Sequence, residues 1–363
     1  MIENLIENEN YKYEIYDKYI CEQNIDRIKF YKNDLKNPKI NLLSAGYHLD
    51  KNTQKKTGGV FFFNIDEQKQ KLIPLNNENI LLDYGILDIK FSKNNLIFTA
   101  NSDYSYTIFD LINNSINKNY LYTTEEKEQK NNITNDILEV DNSEQKIFFG
   151  TNDGNIIIND LKTQKNILTF NKAHDYGIWS INLLENNENI FLTGGEDAKI
   201  KLWDLRSKNN NKEERINDKS YQSSINYIDL LKFDLSKNVL ITGSYDEKII
   251  FFDLRNFPKE LKSIKTEHSS WDMKQTTLGN KNILLISSIY EGFNIWEIDN
   301  EKDLEMKHVL RLPLTKEKDI FHKSIVYGVD IKQNIDKEKN KCVNILSCSF
   351  YDNLMMYWNY SLV

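Results

Sequence analysis

His322 and Ser324 place an imidazole and a hydroxyl two residues apart, side-chain types that could serve as a base and a nucleophile. A neutral imidazole takes a proton from water or from serine, and the oxygen so activated can attack a carbonyl carbon. Two nucleophiles stay open on this reading, Ser324 Oγ and a water activated directly. Glu247 adds a carboxylate, and Trp179, Tyr245, Trp271, Tyr327 and Tyr351 add aromatic faces. Such faces hold organic cations at about 0.5–2 kcal/mol per contact, although packing competes for the same side chains. The sequence carries no Gly-x-Ser-x-Gly elbow and no zinc-ligand spacing, so the site must be assembled from loops, without metal or cofactor.

What must position these residues is a repeat. Asp-x6-Asp recurs as Asp103/Asp110, Asp153/Asp160, Asp197/Asp204 and Asp246/Asp253; Asp352 to Asn359 keeps the spacing, and Glu291 with Trp296-Glu297 is a degenerate copy. Each copy joins two short apolar runs through a turn carrying an acid, so one hairpin is repeated along the chain. First strands are expected at Ile25–Phe30, Ile86–Phe91, Asp136–Val140, Ile178–Leu184, Ile225–Phe233, Trp271–Thr276 and Val326–Ile331, each followed by a second apolar run. Fourth strands are weaker; Tyr120–Tyr122, Ile167–Phe170 and Val309–Leu312 are the clearest.

These units predict an all-β, seven-bladed WD-type β-propeller forming one domain over residues 1–363. Approximate blades are 21–75, 76–123, 124–170, 171–222, 223–268, 269–315 and 316–363. The last blade lacks a fourth strand, and the alternating segment 11–19 can supply it, closing the ring and removing exposed edges. Helices should be nearly absent.

Blade 4 holds a full hydrogen-bonding set: His174, Thr193, Asp197 and Trp203. A satisfied buried network explains that histidine without catalysis, and the turn acids Asp246 and Asp352 receive the same structural reading. His322 sits at the equivalent offset from its own first strand, but Cys348 takes the place of the threonine, which predicts a less fully engaged imidazole.

With 47 Lys+Arg against 54 Asp+Glu and a net charge of -7, the chain has no electrostatic footprint for nucleic acid. Three cysteines without a framework suit a reducing compartment, and the acidic start Met1-Ile-Glu-Asn is unlike a secretory signal. No apolar run approaches the roughly 18 residues of a membrane span. A cytoplasmic, monomeric protein is the expectation.

The C-terminal half is more specific. Ala173-His174, Gly194-Gly-Glu-Asp197 with Trp203-Asp-Leu-Arg206, and Thr242-Gly-Ser-Tyr-Asp-Glu247 with Asp253-Leu-Arg-Asn256 occur in order. Ser324-Ile-Val-Tyr-Gly328 and Cys348-Ser-Phe-Tyr-Asp352 follow. Together they resemble the WD-repeat diphthine methylesterase family of diphthamide biosynthesis. The resemblance implies hydrolysis of the methyl ester of methylated diphthine on translation elongation factor 2, with that factor as partner. It also implies that the five aromatic residues could cage the substrate's trimethylammonium group. A non-catalytic scaffold is the competing reading: Trp203-Asp-Leu-Arg206 and Phe252-Asp-Leu-Arg255 resemble the short motif of substrate receptors for cullin-based ubiquitin ligases.

Overall fold

Every first strand pairs antiparallel with a second, and every second with a third, giving seven separate sheets. The computed structural model of the protein describes residues 11–31, 40–92, 96–110, 115–120, 137–184, 187–207, 213–234, 238–299, 303–314, 321–333 and 341–363. The innermost strands are Ile25–Phe30, Ile86–Phe91, Ile137–Asn142, Ile178–Leu184, Ile225–Leu230, Asp272–Leu278 and Val326–Gln333. They follow one another around a ring, Val326–Gln333 lying beside Ile25–Phe30. Helix among the described residues is confined to the 3-10 turns Asn76–Glu78 and Leu254–Asn256. Residues 121–122 of an expected fourth strand, and Asp136, lie outside the described residues; the fourth strand of blade 2 is Ser115–Tyr120.

The core is divided among the blade interfaces. Each apolar cluster draws residues from two neighbouring blades, as Ile25, Ile28, Leu42 and Phe63 of blade 1 meet Leu346, Met355 and Tyr357 of blade 7. Close approach needs a small residue on the second strand. A Cβ on Gly194 would lie 2.8 Å from Ile225 Cγ2, and one on Gly150 would lie 2.7 Å from Ile178 Cγ2. Any larger residue there would push the next blade outward.

The seventh sheet is completed by Tyr11–Ile20, which pairs antiparallel with Leu354–Leu362, Tyr11 opposite Leu362. Tyr11, Tyr13 and Ile15 pack on the cluster between blades 6 and 7, and Tyr16 and Tyr19 on the cluster between blades 7 and 1. The Tyr11 ring stacks on Tyr360 at 5.2 Å. The strand therefore closes the ring with side chains as well as backbone.

Candidate functional site at the channel mouth

The first strands carry a shared irregularity where they begin. In six blades the register slips by one residue, between Ile25/Arg27, Ile86/Asp88, Ile137/Glu139, Ile178/Ser180, Ile225/Tyr227 and Val326/Gly328. A bulge re-aims side chains locally. In blade 1 it leaves Ile25 and Ile28 in the apolar layer while Asp26 and Arg27, between them, meet charges from other blades.

Arg27 Nη1 lies 3.1 Å from Asp26 Oδ1, and its Nε lies 2.9 Å from Asp88 Oδ1. Lys274 Nζ lies 2.7 Å from Asp272 Oδ1, and Lys90 Nζ lies 3.8 Å from Glu139 Oε1. Arg27 also feels Glu139 and Asp272, so blades 1, 2, 3 and 6 share one enclosed field. Burial pushes the Asp26 carboxyl up to about 6, with Arg27 only partly offsetting it. Burial also raises Glu139 well above the usual carboxylate range, and nearby Asp88 adds to it. For Asp272 burial works upward too, but Lys274, Lys29 and Arg27 together bring it down to about 2.

Sequence reasoning passed over this cluster. Its signal was legible: Ile25-Asp-Arg-Ile-Lys29, Leu87-Asp-Ile-Lys90 and Trp271-Asp-Met-Lys274 place charges at one point of the units of blades 1, 2 and 6. Asp88 of this cluster, and Asp141 and Asp330 on the first strands of blades 3 and 7, have structural work. Asp88 Oδ2 accepts from Val140 N (3.2 Å), Asp141 Oδ2 from Leu183 N (3.0 Å), and Asp330 Oδ2 from Phe30 N (2.8 Å). Each of these bonds ties one blade to the next.

At the starts of the first strands of blades 4, 6 and 7, which in a propeller surround the central channel, runs an aromatic arc. Trp179 meets Trp271 at 5.3 Å between ring centroids, Trp271 stacks on Tyr327 at 4.9 Å, and Tyr327 meets Phe350 at 5.4 Å. Phe350 touches Tyr351 edge-on at 5.1 Å and Tyr47 at 5.0 Å. Trp179, Trp271 and Tyr327 are half-buried. Tyr327 lies within electrostatic reach of Asp26 and Arg27, which joins the arc to the charged cluster.

Tyr245, Tyr290 and Tyr351 each precede the turn acid of their blade (Asp246, Glu291, Asp352) in blades 5, 6 and 7. Tyr290 is 62% exposed and Tyr351 69%, so both reach solvent at the rim. Tyr290, beside Tyr245, is the main influence holding the Tyr245 hydroxyl above its ordinary pKa. Tyr290 was absent from the sequence-derived set because its repeat is the degenerate one. Trp179, Trp271, Tyr327 and, through Phe350, Tyr351 are thus brought together, whereas Tyr245 makes no ring contact with them among the described residues.

The three candidate catalytic residues are not brought together. His322 is 5% exposed; its Nδ1 lies 2.6 Å from Ser349 Oγ and its Nε2 2.7 Å from Ser347 Oγ. Trp358 Nε1 donates to the same Ser347 Oγ at 3.2 Å. The expectation of a poorly engaged imidazole is corrected here, and its cause is a one-residue slip in alignment. The threonine position of blade 7 is Ser347, opposite Val329 as Thr193 is opposite Ile181. Cys348 is the counterpart of Gly194, facing Gly328. Burial holds His322 down to about 4.

Ser324 Oγ accepts from Tyr351 N at 3.3 Å and has no bond to His322. Glu247 occupies the left-handed turn position (φ +67°), and its carboxylate lies 3.8 Å from Lys265 on the outermost strand of its blade.

In blade 4, His174 Nδ1 lies 2.8 Å from Asp197 Oδ1 and Nε2 2.7 Å from Thr193 Oγ1, while Trp203 Nε1 donates to Thr193 Oγ1 at 2.9 Å. Asp197 therefore fixes the imidazole with its proton on Nδ1. In blade 5 Tyr221 takes the histidine's place, its hydroxyl 2.5 Å from Thr242 Oγ1. Asp246 Oδ2 accepts from Gln222 N at 2.7 Å and Asp352 Oδ2 from Lys323 N at 2.8 Å, so these turn acids hold loops. Among the described residues no group of His, Cys, Asp and Glu is arranged to hold a metal ion.

The depressed His322 pKa has a measurable consequence. An unfolded imidazole titrates near 6.5, so below that pH the unfolded chain binds a proton that the folded one refuses down to about 4. The contribution of His322 is complete above pH 6.5 and lost as pH falls, at about 1.4 kcal/mol per unit. Asp26 has the opposite sign, its raised pKa favouring the fold as pH falls, but it is common to wild type and a His322→Asn variant. Urea midpoints of the two proteins should therefore converge between pH 7 and 5; parallel pH curves would contradict the buried neutral imidazole.

Residues 164–204 match the family profile "WD domain, G-beta repeat". The chain is 26% identical over 299 residues to "Diphthine methyltransferase homolog" of Dictyostelium discoideum, covering 77% of this chain and 78% of that protein. Shorter matches are 41% identity over 54 residues with "WD repeat-containing protein 55 homolog" of Drosophila erecta (15% of this chain, 10% of that protein). Another is 30% identity over 61 residues with "DDB1- and CUL4-associated factor 5" of Homo sapiens (17% and 6%). Among solved structures, a chain of "Crystal Structure of Mitotic Checkpoint Complex" aligns with a TM-score of 0.68 at 11% identity, covering 96% of both. "Crystal structure of WD40 beta propeller domain of Doa1" aligns at 0.62 and 13% identity, also covering 96% of both. At such identities these structures establish the WD40 propeller fold. The long curated match fits a WD-repeat, diphthamide-related family.

Proposed function

We propose, taking that WD-repeat, diphthamide-related kinship as the premise, that this propeller is a carboxylic ester hydrolase. Its substrate is the methyl ester of methylated diphthine on translation elongation factor 2. Water replaces methanol at the acyl carbon, leaving the carboxylate for the final ATP-dependent amidation. The observation that carries this reading is the arc Trp179–Trp271–Tyr327, electron-rich and half-buried, beside an arginine and a carboxylate. A trimethylammonium group is attracted to such faces, and an ester held beside it would lie near Asp26 and Arg27.

Incubating the purified chain with methyl-esterified elongation factor 2 should lower the mass of the modified histidine by one CH2 unit. A gain of that mass on unesterified factor would instead mark methyl transfer and sink the hydrolase reading. Trp271→Ala should raise KM for a trimethylammonium methyl ester by about 10–30-fold, the worth of about 2 kcal/mol of desolvated cation–aromatic contact. The same variant should change KM for the neutral tert-butyl analogue by less than about threefold. Equal losses for both would point to collapse of the wall rather than loss of a cation cage.

A scaffold role is the second reading. Arg206 and Arg255, 59% and 69% exposed, are each clamped by the aspartate two residues earlier (Asp204, Asp253) at 2.6 Å in adjacent blades. Both sit at the ends of third strands, on the face opposite the aromatic rim. An Arg206→Ala/Arg255→Ala double variant tests it by co-purification with a cullin-based ligase; retained association would remove this surface from the account.

A further inference from the structure

We propose that Asp26 is the general base of the ester hydrolysis and that Arg27 holds the oxyanion. The assignment rests on the hydrolase reading above and identifies the residues that would perform it.

Position singles out this pair. Asp88, Asp141 and Asp330 each spend an oxygen on a backbone N–H of the neighbouring blade. Asp26 makes no such bond: Oδ1 accepts from Arg27, and among the described residues Oδ2 has no protein partner. Its side chain keeps 10% of its surface open and that of Arg27 13%, so both remain reachable although enclosed. Arg27 commits Nε to Asp88 and Nη1 to Asp26, leaving the Nη2 donors without a protein partner among the described residues. A carboxylate oxygen and an amidinium edge, both unspent, thus stand side by side next to Tyr327.

The step balances with water as the only co-reactant. Asp26 takes a proton from water as the water oxygen bonds to the ester carbon. The carbonyl electron pair moves onto oxygen, where the Arg27 Nη2–H groups receive the charge. Collapse re-forms the carbonyl and breaks the bond to methoxide, which takes the proton back from Asp26 and leaves as methanol. The product acid gives its proton to solvent. Arg27 is fixed in advance by two carboxylates, so it needs little reorganisation when the charge develops.

The groups facing Asp26 are Arg27 on its own strand, Asp88 of blade 2, Lys56 of the third strand of blade 1, and Tyr327 and Cys348 of blade 7. Against them burial is the largest influence, placing the carboxyl near 6. The base acts ionised, so kcat should rise with pH through about 6 and level above it.

The test uses the full chain and an N,N,N-trimethyl amino-acid methyl ester as probe. Asp26→Asn should lower kcat about 10²–10⁴-fold, leave KM within about threefold, and erase the limb near pH 6. Melting should stay cooperative, since Arg27 retains Asp88. If Asp26→Asn does not fold, Asp26→Glu, which displaces the carboxylate by one methylene, must show a kcat loss of at least tenfold instead. Wild-type cleavage with an Asp26→Asn variant of equal kcat and unchanged pH limb overturns the assignment alone. Absence of wild-type cleavage of both the probe and esterified elongation factor 2 overturns the hydrolase reading and the assignment with it.

Discussion

Arg27→Met should destabilise the protein by about 3–5 kcal/mol, because it strips the shared cation from two enclosed carboxylates. Asp26 and Asp88 both bond to that guanidinium, at 3.1 and 2.9 Å. Methionine fills much of the volume, so the loss is electrostatic rather than a cavity. Denaturant midpoints measure it directly. An Asp26→Asn/Arg27→Met/Asp88→Asn triple variant should recover most of the loss, since removing a buried ionic set as a whole costs far less than orphaning its members. A single-variant cost below about 1 kcal/mol would mean that solvent in the channel screens these charges fully.

Removing the strand Tyr11–Ile20 should have the larger effect, abolishing cooperative unfolding. Tyr11, Tyr13, Ile15, Tyr16 and Tyr19 cover two of the interblade clusters. At roughly 1 kcal/mol for each half-buried side chain, about 5 kcal/mol disappears, against a typical domain stability of roughly 5–15 kcal/mol. The deletion also bares the edge of Leu354–Leu362, a template for intermolecular pairing. Scanning calorimetry should show a broad or absent transition, and light scattering should show aggregation. A sharp transition within a few degrees of the full chain would mean the other six blades hold the ring unaided.

The ring was legible in the sequence because Asp197 and its counterparts mark the same turn in successive blades. Left-handed residues follow that acid at Tyr104, Gly154, Ala198, Glu247, Gly292 and Asn353, which is why the spacing persists while residue types vary. Fourth strands such as Arg215–Asn217 were harder to place, since an outer strand needs little apolar patterning. The aromatic arc was named residue by residue, but its continuity through Phe350 depends on ring positions that no spacing encodes. Asp26 and Arg27 escaped for a physical reason. A strand lining a narrow channel alternates apolar and charged residues just as a strand facing bulk water does, and only closure of the ring distinguishes them. His322 was misjudged through a single register step, which in a strand exchanges Ser347 for Cys348 and one face for the other.

The pairing of Tyr11 with Leu362 also bears on how the chain is made. At about 5–20 residues per second, the earliest strand leaves the ribosome tens of seconds before its mate is synthesised. Until then the nascent array is an open arc with unsealed flanks and no assembled mouth. Any chaperone attending its translation should engage such half-built forms and release them only after the last strand emerges.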